Sequence, residues 1–237
     1  MAKAATQTVT AASFTGFTPR LFAFFDGLAE NQDRDWFQAN RDAYEKDVRE
    51  PLGALVEALA FAFAAHDIPL TGDAKRSLFR IHRDIRFSKD KRPYKTNASA
   101  VLSRDGTKPA KGVLYFHIGG PQRDVFMAMG FYGPEPAELA AIRRAIAARP
   151  DRWAAMQAAL GEASLSLDGH GALSRIPKGF EAHAGEPIAD ALKLRNFLVS
   201  RHLETERLYE GSLVDDIVAF AQGGLPLLTF GWGALAG

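Results

Sequence analysis

The sequence predicts an α+β fold, in which helices from both ends of the chain pack on a central antiparallel sheet of about four or five strands. Apolar residues recur at helical spacing before about residue 66 and after about residue 134, but alternate at period two within about residues 78–132. Short turns separate the alternating segments, which favours antiparallel neighbours. We therefore expect a single domain over residues 14–237 and a disordered segment over residues 1–13.

The N-terminal region is predicted to be helical. Thr18 is predicted to be the N-cap of a first helix, with Pro19 at its first helical position. Asp33 is predicted to cap a second helix. Pro51 should kink or restart the second helix, because proline lacks an amide hydrogen. An apolar stripe then continues to about Ala65.

Four segments are predicted to be strands, because they alternate or are short apolar runs bounded by turns. They are residues 78–87, 98–103, 113–119 and 124–132. The last two are apolar on both faces, so we expect helices on one face of the sheet and partial cover on the other.

The C-terminal region returns to the helical period. Helices are predicted over residues 136–148, 151–160, 188–194, 212–222 and 225–235, with a loop-rich stretch over residues 161–185. A sheet between two helical flanks is typical of an α+β domain.

Composition excludes several kinds of site. The chain has 237 residues and no cysteine, which excludes disulfides, thiolate zinc sites and cysteine nucleophiles. The most apolar window, residues 55–65, contains Glu57 and is too short to cross a bilayer. No signal-peptide run is visible near the N-terminus. We therefore expect a cytoplasmic protein without a membrane partner, and the sequence leaves its oligomeric state open.

The common catalytic and cofactor motifs are missing from the sequence. It contains no Gly-rich dinucleotide or phosphate loop, no G-x-S-x-G elbow and no H-E-x-x-H motif. Two histidines without a nearby acidic triad give only a weak metal signal. The sequence therefore identifies no cofactor and predicts no metal.

Positive charge is concentrated in residues 75–95, KRSLFRIHRDIRFSKDKRPYK. Nine Lys or Arg residues and two acids give this segment a charge of +7, whereas the whole chain has a net charge of +1. Such a concentration has a local cause, which is either an anionic ligand or ion pairs with acids elsewhere.

Alternation assigns the side chains of this segment to two faces. One face would present Arg80, His82, Asp84 and Arg86. Arg83 would lie on the apolar side, where its guanidinium needs a carboxylate or several carbonyl partners. A bulge near Asp84 would instead turn Arg83 outward.

The candidate site residues come from this segment and from the predicted strand 113–119. Guanidinium and ammonium groups bind phosphate or carboxylate, and imidazoles can carry protons. Asp84 and Tyr94 are the candidate catalytic residues. The candidate ligand-binding residues are Arg80, Arg83, Arg86, Asp90, Lys91, Lys95, His82 and His117. For the two histidines taken alone, a structural role is favoured.

One pattern runs through the segment: Arg80-x-x-Arg83-Asp84-x-Arg86-Phe87-x-x-x-Asp90-Lys91-x-x-Tyr94. It resembles the signature of the bacterial family known as domain of unknown function 2461. The likeness extends over nearly the whole chain after Ser13, including Trp36-Phe37 and the Leu-x-Arg-x-Pro-x-Gly-Phe stretch of residues 173–180. The resemblance implies a family and draws attention to these charged residues, but it implies no reaction and no catalytic residue.

The expected function is binding of a small ligand or substrate that carries phosphate or carboxylate, and the sequence does not decide whether the protein is an enzyme. Two alternatives stay open: a non-catalytic module for nucleic acid or another polyanion, and a purely structural ion-pair network. Outside residues 75–95 the chain is net acidic, which argues against a broad nucleic-acid footprint. A concave pocket would favour the small ligand.

Overall fold

The structure, a computed structural model, describes residues 14–120 and 123–237. The segment predicted to be disordered, residues 1–13, lies outside the described residues. The α+β class is confirmed, because one four-stranded antiparallel sheet is flanked by N- and C-terminal helices.

In chain order the elements are α1 (Arg20–Glu30), α2 (Arg34–Ala39), α3 (Arg41–Tyr44), a π-helical turn (Glu45–Arg49), α4 (Glu50–Ala65), β1 (Asn97–Leu102), β2 (Val113–Gly119), β3 (Asp124–Phe131), α5 (Pro136–Ala148), α6 (Pro150–Glu162), a 3₁₀ turn (Glu181–His183), α7 (Ala189–Lys193), β4 (Phe197–His202), a 3₁₀ turn (Thr205–Tyr209) and α8 (Leu213–Ala236).

The starts of the first helices follow from their capping residues. Asp33 caps α2 as predicted, since its carboxylate accepts a hydrogen bond from the Trp36 amide at 2.8 Å. The Thr18 side chain does not cap α1; its carbonyl oxygen accepts from the Leu21 amide instead. Pro51 lies in the first turn of α4, just after the π-helical turn, where a missing amide hydrogen costs little.

The sheet has the order β1-β2-β3-β4, with every neighbouring pair antiparallel. Three strands lie within one residue of their predicted bounds, at Asn97–Leu102, Val113–Gly119 and Asp124–Phe131. The fourth strand, Phe197–His202, lies far outside the region predicted for the sheet. It is short, follows α7 closely and contains one β-branched residue, so its sequence has no strong strand signal.

Residues 78–87 do not form a regular strand, so that prediction is wrong. Isolated bridges join Leu78 to Ala100 and His82 to Tyr94. The predicted alternation survives as a difference in exposure, because the even-numbered side chains from residue 80 to 86 are exposed and the odd-numbered ones from 79 to 85 are more buried.

The backbone explains why no regular ladder forms. The Phe79 amide donates to Ser99 of β1 at 3.0 Å, but the Arg83 amide donates to Pro93 at 2.8 Å. The segment therefore leaves the edge of β1 after about residue 79 and pairs with its own returning chain. Alternation in the sequence cannot distinguish this short local hairpin from a strand of the main sheet.

Helices α4 and α8 cover one face of the sheet, with α4 against β1 and α8 against β3. Two glycines allow α8 to approach β3 closely: a Cβ at Gly224 would clash with Met129, and one at Gly231 would clash with the Phe131 ring. The main apolar core therefore lies between these two helices and this face of the sheet. The opposite face is not covered by α4 or α8.

Helix α8 corrects the prediction of two helices over residues 212–222 and 225–235. It runs unbroken from Leu213 to Ala236 with Pro226 inside it, and buried residues on both sides of the proline hold it against the core. Helix α8 is long enough and apolar enough to cross a membrane, but core helices of soluble proteins can have the same length and composition. The absence of a membrane partner stays a prediction.

Candidate functional site

The face of the sheet opposite α4 and α8 contains a cavity of about 730 Å³. Small residues of β3 and β4 form its floor: Ala128, Gly130 and Ser200. Ala128 and Ser200 are direct neighbours across the strands. Because larger side chains surround these small ones, the sheet surface is hollow at this point.

Aromatic side chains of three strands line up beside the floor. The sheet register places Ser99, His117, Phe126 and His202 opposite one another on successive strands. His117 stacks on Phe126, with ring centres 4.8 Å apart and planes at 17°. Phe126 also lies 5.5 Å from the His202 ring and 5.8 Å from the Tyr115 ring. The cavity therefore borders an almost continuous aromatic surface.

Tyr115 and His117 form a hydrogen-bonded pair at this surface. The Tyr115 hydroxyl lies 2.9 Å from Nδ1 of His117. Burial raises the pKa of Tyr115, an effect that a hydrogen bond with Ser99 opposes. Burial also lowers the pKa of His117, although the nearby Asp124 acts in the other direction. A protonated tyrosine that donates to Nδ1 leaves the proton of the neutral imidazole on Nε2.

Positive charge gathers at the β1 side of the cavity, around the Phe79 ring. The Nζ atoms of Lys95 and Lys108 lie 5.6 Å and 5.7 Å from the centre of this ring, within the range of cation–π attraction. Phe79 itself packs edge-on against Tyr115 at 6.0 Å. The pKa of Lys95 is lowered by burial and by the nearby Arg80, so three cations lie close together here.

These three cations have no acidic partner within the described ranges. Neither Arg80 nor Lys95 forms an ion pair with any residue of 14–120 or 123–237, and Lys108 donates only to the backbone carbonyl of Arg76. An ammonium or guanidinium group in this state keeps its charge and its donors available for an anion.

The β4 side of the cavity is polar. Asp168 and His202 line it together with Ser200. Nδ1 of His202 lies 3.2 Å from Asp124, and the Asp168 amide donates to the Leu198 carbonyl at 2.8 Å, which anchors this loop to β4. The two ends of the cavity therefore differ in charge.

Tyr132 lines the cavity just beyond the end of β3. Its side chain is 80% exposed, which is unusual for an aromatic residue. No ring in the described part of the chain stacks on it, although stacked or edge-on contacts occur among its neighbours in the cavity.

In the basic loop of residues 83–92, the two acids pair with three of the five basic residues. Asp90 accepts from Arg92 at 2.7 Å and from Arg83 at 2.6 Å, and these two guanidinium groups hold the pKa of its carboxyl well below the usual range. Arg83 is half-buried, and Asp90 supplies the carboxylate partner that its position was predicted to need.

Asp84 and Arg86 form a second closed pair in this loop. Arg86 donates to both carboxylate oxygens of Asp84, at 2.9 Å and 2.7 Å, and this contact lowers the pKa of Asp84. Lys91 donates to the Ile85 carbonyl at 3.0 Å. These groups hold the loop together, since their hydrogen bonds are made to other groups of the same loop.

Tyr94 belongs to the core. It is 5% exposed and stacks on Phe37, with ring centres 4.5 Å apart and planes at 19°. His82 is exposed and lies 5.2 Å from the Tyr94 ring. The burial of Tyr94 favours a packing role over proton transfer.

The structure thus divides the residues that the sequence nominated. None of the nominated residues lines the cavity itself. Lys95 lies beside its Phe79 end with Arg80 nearby, and His117 lies behind its Tyr115 and Phe126 rings. Arg83, Asp84, Arg86 and Asp90 form ion pairs within the loop, and Lys91 donates to a loop carbonyl. Sequence reasoning missed Phe79, Lys108, Phe126, Tyr132, Asp168 and His202 as site residues. Alternation did indicate that Tyr115 and His117 share a face, but nothing in the sequence joined this face to β4.

Within the described residues, no group of three or more His, Asp or Glu side chains is arranged to hold a metal ion.

Comparison with known proteins gives one finding. A family model described as "Conserved hypothetical protein (DUF2461)" matches residues 20–230. No curated protein and no solved structure matches the chain.

Proposed function

The chain belongs to the family of conserved hypothetical proteins DUF2461, and we propose that it binds a small organic anion in the cavity on the open face of its sheet. The anionic group, a phosphate or a carboxylate, lies at the Phe79 end, and the apolar part of the ligand lies over the floor. The ligand class is the one expected from the sequence. Of the nominated binding residues, Arg80 and Lys95 are retained, and Lys108 is added.

The observation that carries the proposal is the contrast between paired and unpaired cations. In the basic loop, Asp84 and Asp90 already occupy three arginines. At the cavity, Lys95 and Lys108 flank Phe79 with no carboxylate partner in the described ranges. An anion placed there gains charge-assisted hydrogen bonds without displacing an acid.

The surroundings of Lys95 strengthen this argument. Burial and Arg80 both lower its pKa, so its ammonium group is less stabilised in the free protein than that of an exposed lysine. A bound anion would reverse that disadvantage, because an opposite charge nearby favours the charged form of a lysine. The cavity volume of about 730 Å³ falls within the range typical of small-ligand sites.

The test is titration of the protein at low salt with inorganic phosphate and a set of small phosphates and carboxylates, followed by calorimetry and NMR. We expect binding that weakens as salt rises, because the interaction between partly exposed charges is screened beyond roughly 8–10 Å. The variant K95Q/K108Q should lose about tenfold or more in affinity, roughly the loss of one or two charged hydrogen bonds.

The matched control is K89Q/K178Q, which removes the same charge from lysines that neither line the cavity nor lie beside the Phe79 ring. It should bind almost as the unmodified protein does. Equal losses in the two variants would mean that net charge, and not the cavity, governs binding. A folded protein that binds none of these anions at millimolar concentration and low salt would overturn the proposal.

A second candidate function is catalysis on the bound anion, and the hydrogen bond between Tyr115 and His117 favours it. A neutral imidazole oriented by a tyrosine is a suitable proton carrier. Incubation of each ligand that binds with the unmodified protein and with H117Q would test this candidate. Turnover by the first and not by the second supports an enzyme, and no turnover of any ligand that binds supports a binding protein.

A further inference from the structure

We infer that the ligand of this cavity is a long-chain anion, which is an unbranched alkyl or acyl chain with a carboxylate or phosphate at one end. The inference rests on the proposed function, since it assumes that an anion binds at the Phe79 end. It adds the shape and the chemistry of the rest of the ligand.

The distance between the cationic end and the floor is the first reason. The Phe79 amide bonds to Ser99 of β1, and Ser99 lies level with Phe126 of β3. Gly130 of the floor lies further along β3, on the far side of β1 and β2 from the Phe79 segment. The backbones at Phe79 and Gly130 are therefore about 20 Å apart, because strands lie about 4.8 Å apart and a residue advances about 3.3 Å. A compact anion cannot contact both points, whereas an extended chain can.

The floor between these points has the form of a trough along β3. Ala128 and Gly130 are its base, and the register places Tyr115 beside Ala128 and places Val113 and Leu198 on either side of Gly130. All five residues line the cavity. The backbones of β2 and β4 are about 10 Å apart, and the volume of the wall atoms leaves room for one hydrocarbon chain.

The surface on the way to this trough is mainly aliphatic. Val101 of β1 and Val113 of β2 line the cavity between Phe79 and the floor, and Ala110 borders it from the loop that joins these two strands. Such a surface gains by removal from water but offers a ligand few hydrogen bonds. Each methylene laid on it adds a similar increment, so affinity should depend on the length of the chain.

Charge sets the direction of the chain. The two lysines at the Phe79 end have no carboxylate partner in the described ranges. At the opposite end the Asp168 amide bonds to Leu198, which brings an acid to the cavity, and the lining cation Lys111 is already held by Glu138 at 3.1 Å. The anionic head therefore lies at the Phe79 end, and the apolar tail lies in the trough.

The experiment measures the affinity of the unmodified protein for straight-chain alkanoates from butanoate to dodecanoate, by calorimetry at low salt and below the micellar concentration of each compound. We expect affinity to rise about threefold to fourfold with each added methylene, the gain from burying one CH₂ group, until the chain fills the trough. 2-Naphthoate has about as many carbons as decanoate but is much shorter, so it should bind more weakly. Affinity that does not rise with chain length, or 2-naphthoate that binds as tightly as decanoate, would overturn this inference and leave the anion site standing.

The head group is tested with a ligand that has the chain but no charge. Decanol should bind about tenfold or more weakly than decanoate, because it cannot form charge-assisted hydrogen bonds with the lysines. Decanol that binds as tightly as decanoate would support the trough and overturn the anion site. No binding by any of these compounds or by inorganic phosphate would overturn both. Decyl phosphate distinguishes the two possible heads, since the tighter binder of decyl phosphate and decanoate identifies the anionic group.

Two matched variants locate the chain. A128L fills the trough, so it should lower decanoate affinity about tenfold or more, the loss of roughly two buried methylenes, and leave phosphate affinity within about twofold. A159L is the control, because Ala159 lines a different apolar groove, between α6 and α8, that also contains Arg149 and Arg152. It should bind decanoate as the unmodified protein does. A loss of decanoate affinity in A159L as large as that in A128L, or no loss in A128L, would contradict the assignment. Thermal melting of both variants checks that the fold is intact.

Discussion

Single cations in this protein differ in whether a carboxylate already holds them. Arg86 donates to both oxygens of Asp84, while Arg80, six residues earlier in the chain, forms no ion pair with any residue of the described ranges. Both are arginines of the same short segment, and both were predicted from the sequence to bind the ligand. Only the unpaired one keeps its guanidinium available, because a bound anion need not compete with an acid for it.

The first residue-level prediction uses this pair. R80A should weaken binding of the anion by about fivefold, roughly 1 kcal/mol for an exposed charged contact, whereas R86A should change it by less than twofold. Calorimetric titration of both variants with the tightest ligand measures this difference. A larger loss of anion affinity in R86A than in R80A would mean that the anion binds at the basic loop and not at the cavity.

The second residue-level prediction concerns pH. Burial lowers the pKa of His117 in the folded protein, and the groups that face it are the Tyr115 hydroxyl, the Phe126 ring and the Asp124 carboxylate. The unfolded value is about 6.5. Between the lowered folded pKa and about pH 6.5, the unfolded chain binds more protons, so stability should rise with pH across this window.

Urea unfolding at several pH values between 5 and 8 tests this expectation. The increase in stability with pH should become shallower in H117F, which keeps a ring against Phe126, and should persist in H170Q, which changes an exposed histidine. An NMR titration that gives His117 a pKa above 6.5 would contradict the assignment.

Among the secondary-structure elements, the pairing of β3 with β4 depends on one glycine. Gly130 adopts a φ of 139°, and a Cβ at this position would collide with the Phe197 carbonyl oxygen of β4. The same residue forms part of the cavity floor. A side chain here would therefore disturb both the strand pair and the cavity.

The element-level prediction is that G130A destabilises the protein by about 2 kcal/mol or more, because it adds a clash to a strained backbone conformation. G161A is the matched control: Gly161 lies in α6 with open space around it, so alanine should stabilise the helix by about 0.5–1 kcal/mol. Urea unfolding midpoints measure both effects. A G130A protein as stable as the unmodified one would show that β4 can shift away from β3.

The outcome for individual elements shows what the sequence can predict. β2 and β3 were predicted within a residue because their apolar residues lie between clear turn signals, and the α+β class followed from them. Residues 78–87 had the same alternation but paired with their own returning chain, which alternation does not reveal. β4 was missed because pairing with β3, 66 residues or more away in the chain, defines it more than its own six residues do.

For the molecule as a whole, the candidate site joins residues that are distant in the chain. The charge cluster drew attention to residues 75–95, but three of its nine basic residues proved to be paired with its own two acids. The cavity depends on three small residues, Ala128, Gly130 and Ser200, which have no chemical signature of their own. Sequence reasoning could therefore find the cations near the site, but not the hollow beside them. The single-domain organisation of residues 14–237 stays a prediction.

The way residues 77–79 run along β1 has a consequence for self-association. The Phe79 amide donates to Ser99, and the Val101 amide donates to Ser77, so backbone groups on the outer side of β1 are occupied. A free strand edge is a template on which another chain can add a strand, and natural proteins cover or charge such edges. Here the same short stretch covers the edge and then leads into the exposed arginines and lysines that would repel a second copy. The segment that first drew attention as a ligand site therefore also covers the β1 edge of the sheet, which disfavours aggregation through that edge.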